Sequence, residues 1–340
     1  MEKLKHYGIR GIPLKLFQSY LTNRKQYTQI EDTLSEWNYV KHGVPQGSIL
    51  GTILILIYIN DIVNTSTILK FILFADDTTI YYSSKPTDFT QEVLNKELNK
   101  VKSWLDCNKL SLNVDKSCYL KFSLLPEKGV SPKIQNIPLS KKNVTKYLGV
   151  LTDDKLSWKD HILNVNMKLR RGIGILSKIK DLVTNSTLKT LYYSFIHPYL
   201  EYNLINWCGA APTNLNCIKI SNKKAVRTIL SKDRREPSRP LFQQLEILPF
   251  EELIKFKQGQ FMWKINRTML PPYNQSYYRK NESPIYICQN ISKFFLPFPY
   301  TTIAKRHCTY SSVRLWNSYI PTPIKQSISL SLYKKHLLYP

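Results

Sequence analysis

The chain is short of acid. Its 340 residues carry 24 Asp and Glu against 49 Lys and Arg, a formal net charge of +25. Such an excess repels itself unless a polyanion is near, so nucleic acid is the expected partner, with solubility alone as the alternative. The chain also lacks cysteine pairs. Its six cysteines, Cys107, Cys118, Cys208, Cys217, Cys288 and Cys308, include no Cys-x-x-Cys spacing. That argues against a zinc module and fits a reducing, intracellular location, nucleus or cytoplasm. Met1-Glu2-Lys3-Leu4-Lys5-His6 is not a signal peptide, so secretion is not expected. No apolar run can cross a bilayer, which needs about 20 residues; the longest, residues 49–59, is broken by Gly51 and Thr52. Internal repeats and low-complexity tracts are absent too.

What is present is enough for a packed core. Apolar residues make up 43% of the chain, which excludes a disordered protein, and the length suits two or three domains. The 22 Tyr and 13 Phe supply core and also stacking faces for bases.

The most informative stretch is Phe71-Ile72-Leu73-Phe74-Ala75-Asp76-Asp77-Thr78-Thr79-Ile80-Tyr81-Tyr82. Two β-prone segments flank a pair of acids, which predicts a hairpin with Asp76 and Asp77 at its tip. Adjacent carboxylates repel each other. They are comfortable when solvated, or when a divalent cation sits among their oxygens.

Around this stretch the chain reads in order. Residues 14–21 form a short amphipathic helix after Gly11-Ile12-Pro13. Residues 26–30 and 35–41 read as paired strands with Glu31-Asp32 near the turn. In Gly43-Val44-Pro45-Gln46-Gly47-Ser48 the glycines allow positive φ, and a Gly-Ser pair opening a helix offers backbone N–H groups to a phosphate or base. Residues 53–59 are buried strand or buried helix. Asp88 and Gln91 look like a capping box for a helix over residues 89–107. Residues 110–113 and 118–122 read as strands, 124–143 as a surface hairpin or loop, and 146–151 as a strand. Asp153-Asp154 precedes a helix and reads as a turn or cap. The later half is mostly helical, with basic clusters at Lys168, Arg170 and Arg171, at Lys219, Lys223, Lys224 and Arg227, and at Lys232, Arg234, Arg235 and Arg239. Such faces suit backbone-tracking contact with a duplex, or simply a solvated surface. A short helix over 241–250 stopped by Pro249, a long loop over 271–290, and closing helices over 311–319 and 327–338 complete the reading.

Taken together, Gly43–Gly51, Tyr58-Ile59-Asn60-Asp61, Phe74-Ala75-Asp76-Asp77, Leu110-Ser111-Leu112-Asn113 with Lys116, and Tyr147-Leu148-Gly149-Val150 stand in a fixed order. The series resembles the palm of reverse transcriptases of non-LTR (LINE-type) retrotransposons, jockey/CR1-like in kind. His197-Pro198-Tyr199-Leu200-Glu201-Tyr202 and Lys223-Lys224-Ala225-Val226-Arg227 resemble that group's thumb, and residues 312–320 its C-terminal tail. The resemblance implies an α+β fold: a partial right-hand polymerase palm over 1–152, a helical thumb-like region over 153–240 and a C-terminal region over 241–340. It implies RNA-directed DNA polymerase activity with an RNA template, a DNA primer and deoxynucleoside triphosphates.

By the same resemblance Asp76 is the main ligand of a catalytic Mg²⁺ (or Mn²⁺) and Asp77 an auxiliary one. Gln46, Gly47, Ser48 and Phe74 lie along the template and incoming nucleotide. Lys116 either protonates the leaving pyrophosphate or is a surface cation. Tyr147, Leu148 and Gly149 form the primer grip. There are departures. The family's first catalytic Asp and its fingers lie upstream of the region matching Met1. Thr52-Ile53-Leu54-Ile55 stands where Pro-Leu-Leu-Phe is usual, and Asn203 where Gly is usual. The expectation is a truncated polymerase, weak or inactive alone; the alternative is a non-catalytic basic nucleic-acid-binding remnant.

Overall fold

A computed structural model describes residues 1–40, 43–45, 47–84, 90–123, 131–278, 294–296, 298–326 and 331–338. Helices and short two-stranded sheets alternate, an α+β architecture. The chain divides into two compact units. The first holds residues 1–119 and 123–142, the second residues 120–122 and 143–340.

The first unit has a small core. Ile62, Leu69, Leu98, Val101 and Ile134 are buried there. The helix Thr90–Cys107 supplies two of them, because Leu94, Leu98, Val101 and Leu105 recur at helical spacing. Asp88 and Phe89, the expected start of that helix, lie outside the described residues. Residues 53–59 turn out helical, within Ile49–Ile59, but the helix is not buried as the sequence suggests. Only Gly51 and Leu54 are, while Ile49, Ile53, Ile55 and Leu56 are exposed. Residues 110–113 do not form a strand. Asn113 diverts the chain into a turn, its side chain accepting the Lys116 backbone N–H at 3.1 Å. A parallel bridge pairs Cys118–Tyr119 with Ser140–Lys141.

The second unit is mainly helical and holds the larger core. The helices Lys159–Ile179, Asn185–Phe195 and Pro212–Ile229 pack face to face. Gly172 lets two of them approach closely, since a Cβ there would meet Ile196 Cγ1 at 2.9 Å and the Phe195 carbonyl at 3.0 Å. Trp207 is fully buried and stacks on Phe250 with centroids 5.8 Å apart. Buried Asp153 organises the turn that precedes the helix Lys159–Ile179, accepting backbone N–H groups from Lys155, Ser157 and Trp158 at 3.1, 2.9 and 2.8 Å. Asn203 takes φ +53, a left-handed conformation that Gly adopts freely and Asn tolerates. The expected helix over 241–250 runs instead over Ser238–Leu245 and ends at Glu246, also left-handed; Pro249 caps the next helix, Phe250–Asn266.

Among the described residues no cysteines are bonded to each other. Burial pushes the Cys208 thiol up to about 12 and raises Cys308, so both are poor thiolates. No helix among the described residues is long and apolar enough to cross a membrane.

Three histidines of this unit titrate below their ordinary range. Burial lowers His161, with Lys168 adding to it; burial lowers His197 against the opposing pull of Glu201; burial lowers His307. Well above about pH 6.5 folded and unfolded chains are both neutral at these sites, and their full stability is present. Below it the unfolded chain takes up protons first. The unfolding midpoint should therefore fall as pH drops from 7 to 5, and replacing all three by Gln should flatten that slope. Thermal melts followed by circular dichroism check this; an unchanged slope in the triple variant would exclude the histidines as its cause.

Candidate functional site

The candidate site is built on one hairpin. Strands Lys70–Phe74 and Asp77–Tyr81 pair antiparallel, with Phe74 opposite Asp77 and Lys70 opposite Tyr81. Alternation sorts the side chains onto two faces. Phe71, Leu73 and Ile80 pack on the first unit's core. Ile72, Phe74, Asp77 and Tyr81 occupy the other face and are exposed, Phe74 at 60%. The core-facing residues thus fix the hairpin and leave its outer face and tip free.

The turn is two residues long, Ala75 and Asp76. Ala75 sits at φ +53. Tight hairpins require positive φ at the first turn position, where Gly is preferred, so an Ala there holds strain of order 1 kcal/mol. The strain sets Asp76 at the apex and Asp77 at the first position of the returning strand.

Both carboxylates are exposed, and neither makes an ion pair or side-chain hydrogen bond among the described residues. Two hard oxygen donors side by side, unneutralised by any lysine or arginine, fit a divalent cation. Magnesium is commonly held by one or two carboxylates together with water and substrate phosphates. Among the described residues there is no group of three or more His, Cys, Asp or Glu that could form a self-sufficient cage.

The other expected site residues are spread out. Gln46 lies outside the described residues. Gly47 has φ +80, and Ser48 caps the helix Ile49–Ile59. The Ser48 hydroxyl accepts the Gly51 N–H at 3.1 Å, donates to the Pro45 carbonyl at 2.8 Å and hydrogen-bonds the Tyr20 hydroxyl. One N–H expected to be free at this helix start is therefore taken by the cap itself. Lys116 is exposed on the turn held by Asn113, its ammonium without a partner among the described residues. No hydrogen bond or ion pair among the described residues joins the acidic tip to Gly47, Ser48 or Lys116.

Tyr147, Leu148 and Gly149 belong to the second unit. They do not continue a single strand; Tyr147 ends the strand Val144–Tyr147, and Leu148 and Gly149 turn into Val150–Asp153 with φ +43 and +84. The Tyr202 hydroxyl donates to the Leu148 carbonyl at 2.6 Å, and Trp207 Nε1 donates to the Tyr202 carbonyl at 2.9 Å. This ties the turn to the helical core.

Sequence reading missed the partner of Asp61. Lys3 reaches it at 2.7 Å, donates to the Tyr58 carbonyl and lies 4.6 Å from the Tyr58 and Trp104 ring centres. The two residues stand 58 positions apart, and no local pattern links them.

The basic clusters prove mixed. Arg227 is committed to the Glu236 carbonyl at 3.0 and 2.8 Å, and Lys219 pairs with Glu251 at 2.9 Å. Arg170, Arg171, Lys223, Lys224, Arg234 and Arg235 are exposed and make no salt bridge among the described residues.

Comparison with known proteins places these features in context. Residues 1–152 match the family model described as "Reverse transcriptase (RNA-dependent DNA polymerase)". The chain is 28% identical over 222 residues to a probable RNA-directed DNA polymerase from transposon X-element of Drosophila melanogaster, covering 63% of this chain and 24% of that protein. It is 24% identical over 289 residues to the probable polymerase from transposon BS, covering 78% and 32%. It is 22% identical over 259 residues to the RNA-directed DNA polymerase from mobile element jockey, covering 73% and 28%, both again from D. melanogaster. The chain thus spans about a quarter to a third of the length of these relatives. No solved structure matches it.

Proposed function

We propose, from the match of residues 1–152 to the reverse transcriptase family model, that the chain serves RNA-directed DNA synthesis by a jockey-like mobile element. Residues 1–152 would contribute part of the palm, 153–240 a thumb and 241–340 the C-terminal region. The observation that carries this reading is the pair of exposed, unpartnered carboxylates on a strained turn whose hairpin is anchored to a core.

Asp76 and Asp77 would hold Mg²⁺ or Mn²⁺ by their oxygens. When bound, such ions activate the primer 3′-hydroxyl and neutralise charge on the leaving pyrophosphate. The chain's own residues would do the positioning. Phe74 beside Asp77 offers an exposed ring to the nucleotide; Gln46, Gly47 and Ser48 would line the template and incoming base. Lys116, unpaired, would supply a proton to the pyrophosphate. Tyr147, Leu148 and Gly149, braced by Tyr202, would grip the primer.

Manganese titration followed by NMR tests the metal reading. Paramagnetic broadening should centre on the amides of residues 74–78 and vanish in the Asp76→Asn/Asp77→Asn variant. Broadening centred elsewhere, or unchanged in the variant, refutes it.

The exposed, unbridged arginines and lysines of the second unit favour one alternative, a non-catalytic nucleic-acid binder. That reading predicts binding that weakens steeply with salt and survives Asp76→Ala and Asp77→Ala, with no metal-dependent synthesis.

A further inference from the structure

Residues 25–39 form a two-stranded arm in which every residue is exposed. Lys25 pairs with Tyr39 and Gln26 with Asn38; farther out Gln29 pairs with Leu34 and Ile30 with Thr33. Between these two ladders the outgoing strand has Tyr27 and Thr28, while the returning strand has Ser35, Glu36 and Trp37. The extra residue is a bulge, a device that re-aims side chains. Here it sets Trp37 against Tyr27, with ring centroids 4.4 Å apart at an interplanar angle of 65°. One step toward the base, the Lys25 ammonium lies 4.9 Å from the Tyr39 ring centre.

The arm therefore carries three exposed aromatic rings, Tyr27 and Trp37 in contact with each other and Tyr39 with Lys25, on a ribbon with no core beneath it. Trp37 and Tyr39 are each 63% exposed and Tyr27 43%. Leaving such rings in water forgoes about 1.5–3 kcal/mol of burial each. Packing does not account for them.

We propose that Lys25, Tyr27, Trp37 and Tyr39 form a stacking site for unpaired bases of a single-stranded nucleic acid. Exposed aromatics interleaved with cations accept bases of any sequence, because every base has a π-face. The charge of the chain as a whole, rather than of the arm, favours this occupant over an apolar protein surface. The chain's net charge of +25 draws polyanions to it. Lys25 lies within the platform; of the arm's three acids Glu31 and Asp32 sit at the turn at the far end and Glu36 lies in the bulge beside Trp37. Arg24 fixes the arm's base by donating to the Gly43 carbonyl. The site needs neither the acidic tip nor a metal, so it stands apart from the polymerase reading.

Fluorescence anisotropy with a labelled 12-nucleotide single strand and a blunt duplex of equal length, without metal or nucleotides, tests it. Trp37→Ala/Tyr39→Ala should lose about tenfold or more in single-strand affinity and little for the duplex. Its dependence of log affinity on log salt should keep the wild-type slope, because no phosphate contact is removed. Trp37→Phe should bind nearly as wild type, and Asp76→Asn/Asp77→Asn should not weaken binding. Unchanged single-strand affinity in the double alanine variant overturns the proposal. So does an equal loss for both ligands. Concentration-dependent dimerisation in sedimentation that disappears in the variant also overturns it, by assigning the rings to a second copy of the chain.

Discussion

Trp207→Ala is expected to lower the chain's unfolding midpoint by roughly 6–20 °C. The indole is fully buried among the helices of the second unit. It stacks on Phe250, meets His161 edge-on at 5.7 Å, and donates its N–H to the Tyr202 carbonyl. Truncation leaves a large cavity and an unsatisfied carbonyl, together worth about 3–5 kcal/mol. That is a large part of the 5–15 kcal/mol typical of a whole domain. Trp207→Phe keeps most of the volume but not the donor, and should lose less. Melting curves followed at 222 nm check both; a midpoint within 2 °C of wild type for Trp207→Ala would mean the core relaxes around the hole.

The consequence reaches the second unit's turn. Trp207 holds Tyr202, and Tyr202 holds the Leu148 carbonyl. Leu148 at φ +43 is a strained conformation for a branched residue and persists because its neighbours fix it. Asn203 beside Tyr202 keeps the left-handed backbone that the Gly expected from the resemblance would supply, so the substitution preserves the local geometry.

Legibility in the sequence follows how local each cause is. The acidic hairpin was readable because two β-prone segments and the acid pair between them are neighbours in the chain, although only Asp76 lies in the turn and Asp77 begins the returning strand. The helix Thr90–Cys107 and the Asp153 turn were readable for the same reason. The strand expected over 110–113 failed because one side chain, Asn113, outbid the β propensity of its neighbours by bonding the Lys116 N–H. The strand expected over 146–151 failed because Leu148-Gly149 turns, and a leucine gives no sign of positive φ. Residues 49–59 were readable as apolar but not as exposed, since hydrophobicity does not say what covers a helix. The candidate site was legible only in its local part. Phe74, Asp76 and Asp77 share one hairpin in sequence and in space. The Gly47–Ser48 loop, Lys116 and the Tyr147–Gly149 turn are separate elements, and the last belongs to a different unit. The Tyr27–Trp37 pair was hidden because a bulge, invisible to alternation, brings the rings together.

Asp76→Asn is expected to reduce metal-dependent incorporation of deoxynucleotides on an RNA template by at least about a thousandfold. The substitution keeps side-chain size, and Asn suits a turn as well as Asp does, so the hairpin should persist. What it removes is a charged oxygen at the apex. Ion-centred charge stabilisation contributes several kcal/mol to phosphoryl transfer, and each 1.36 kcal/mol is about tenfold in rate. Asp77 lies at the start of a strand, opposite Phe74, rather than at the apex; Asp77→Asn should cost less, about 10- to 100-fold. Single-turnover primer extension, with the chain in excess over primer and either Mg²⁺ or Mn²⁺ present, makes slow synthesis measurable. Far-UV circular dichroism confirms that each variant is folded. Nucleic-acid affinity should hold or rise in both, because a negative charge has gone from an exposed surface. Equal incorporation by wild type and Asp76→Asn would move the metal away from this tip. A loss of affinity alongside incorporation would mean that the tip supports nucleic-acid binding rather than chemistry.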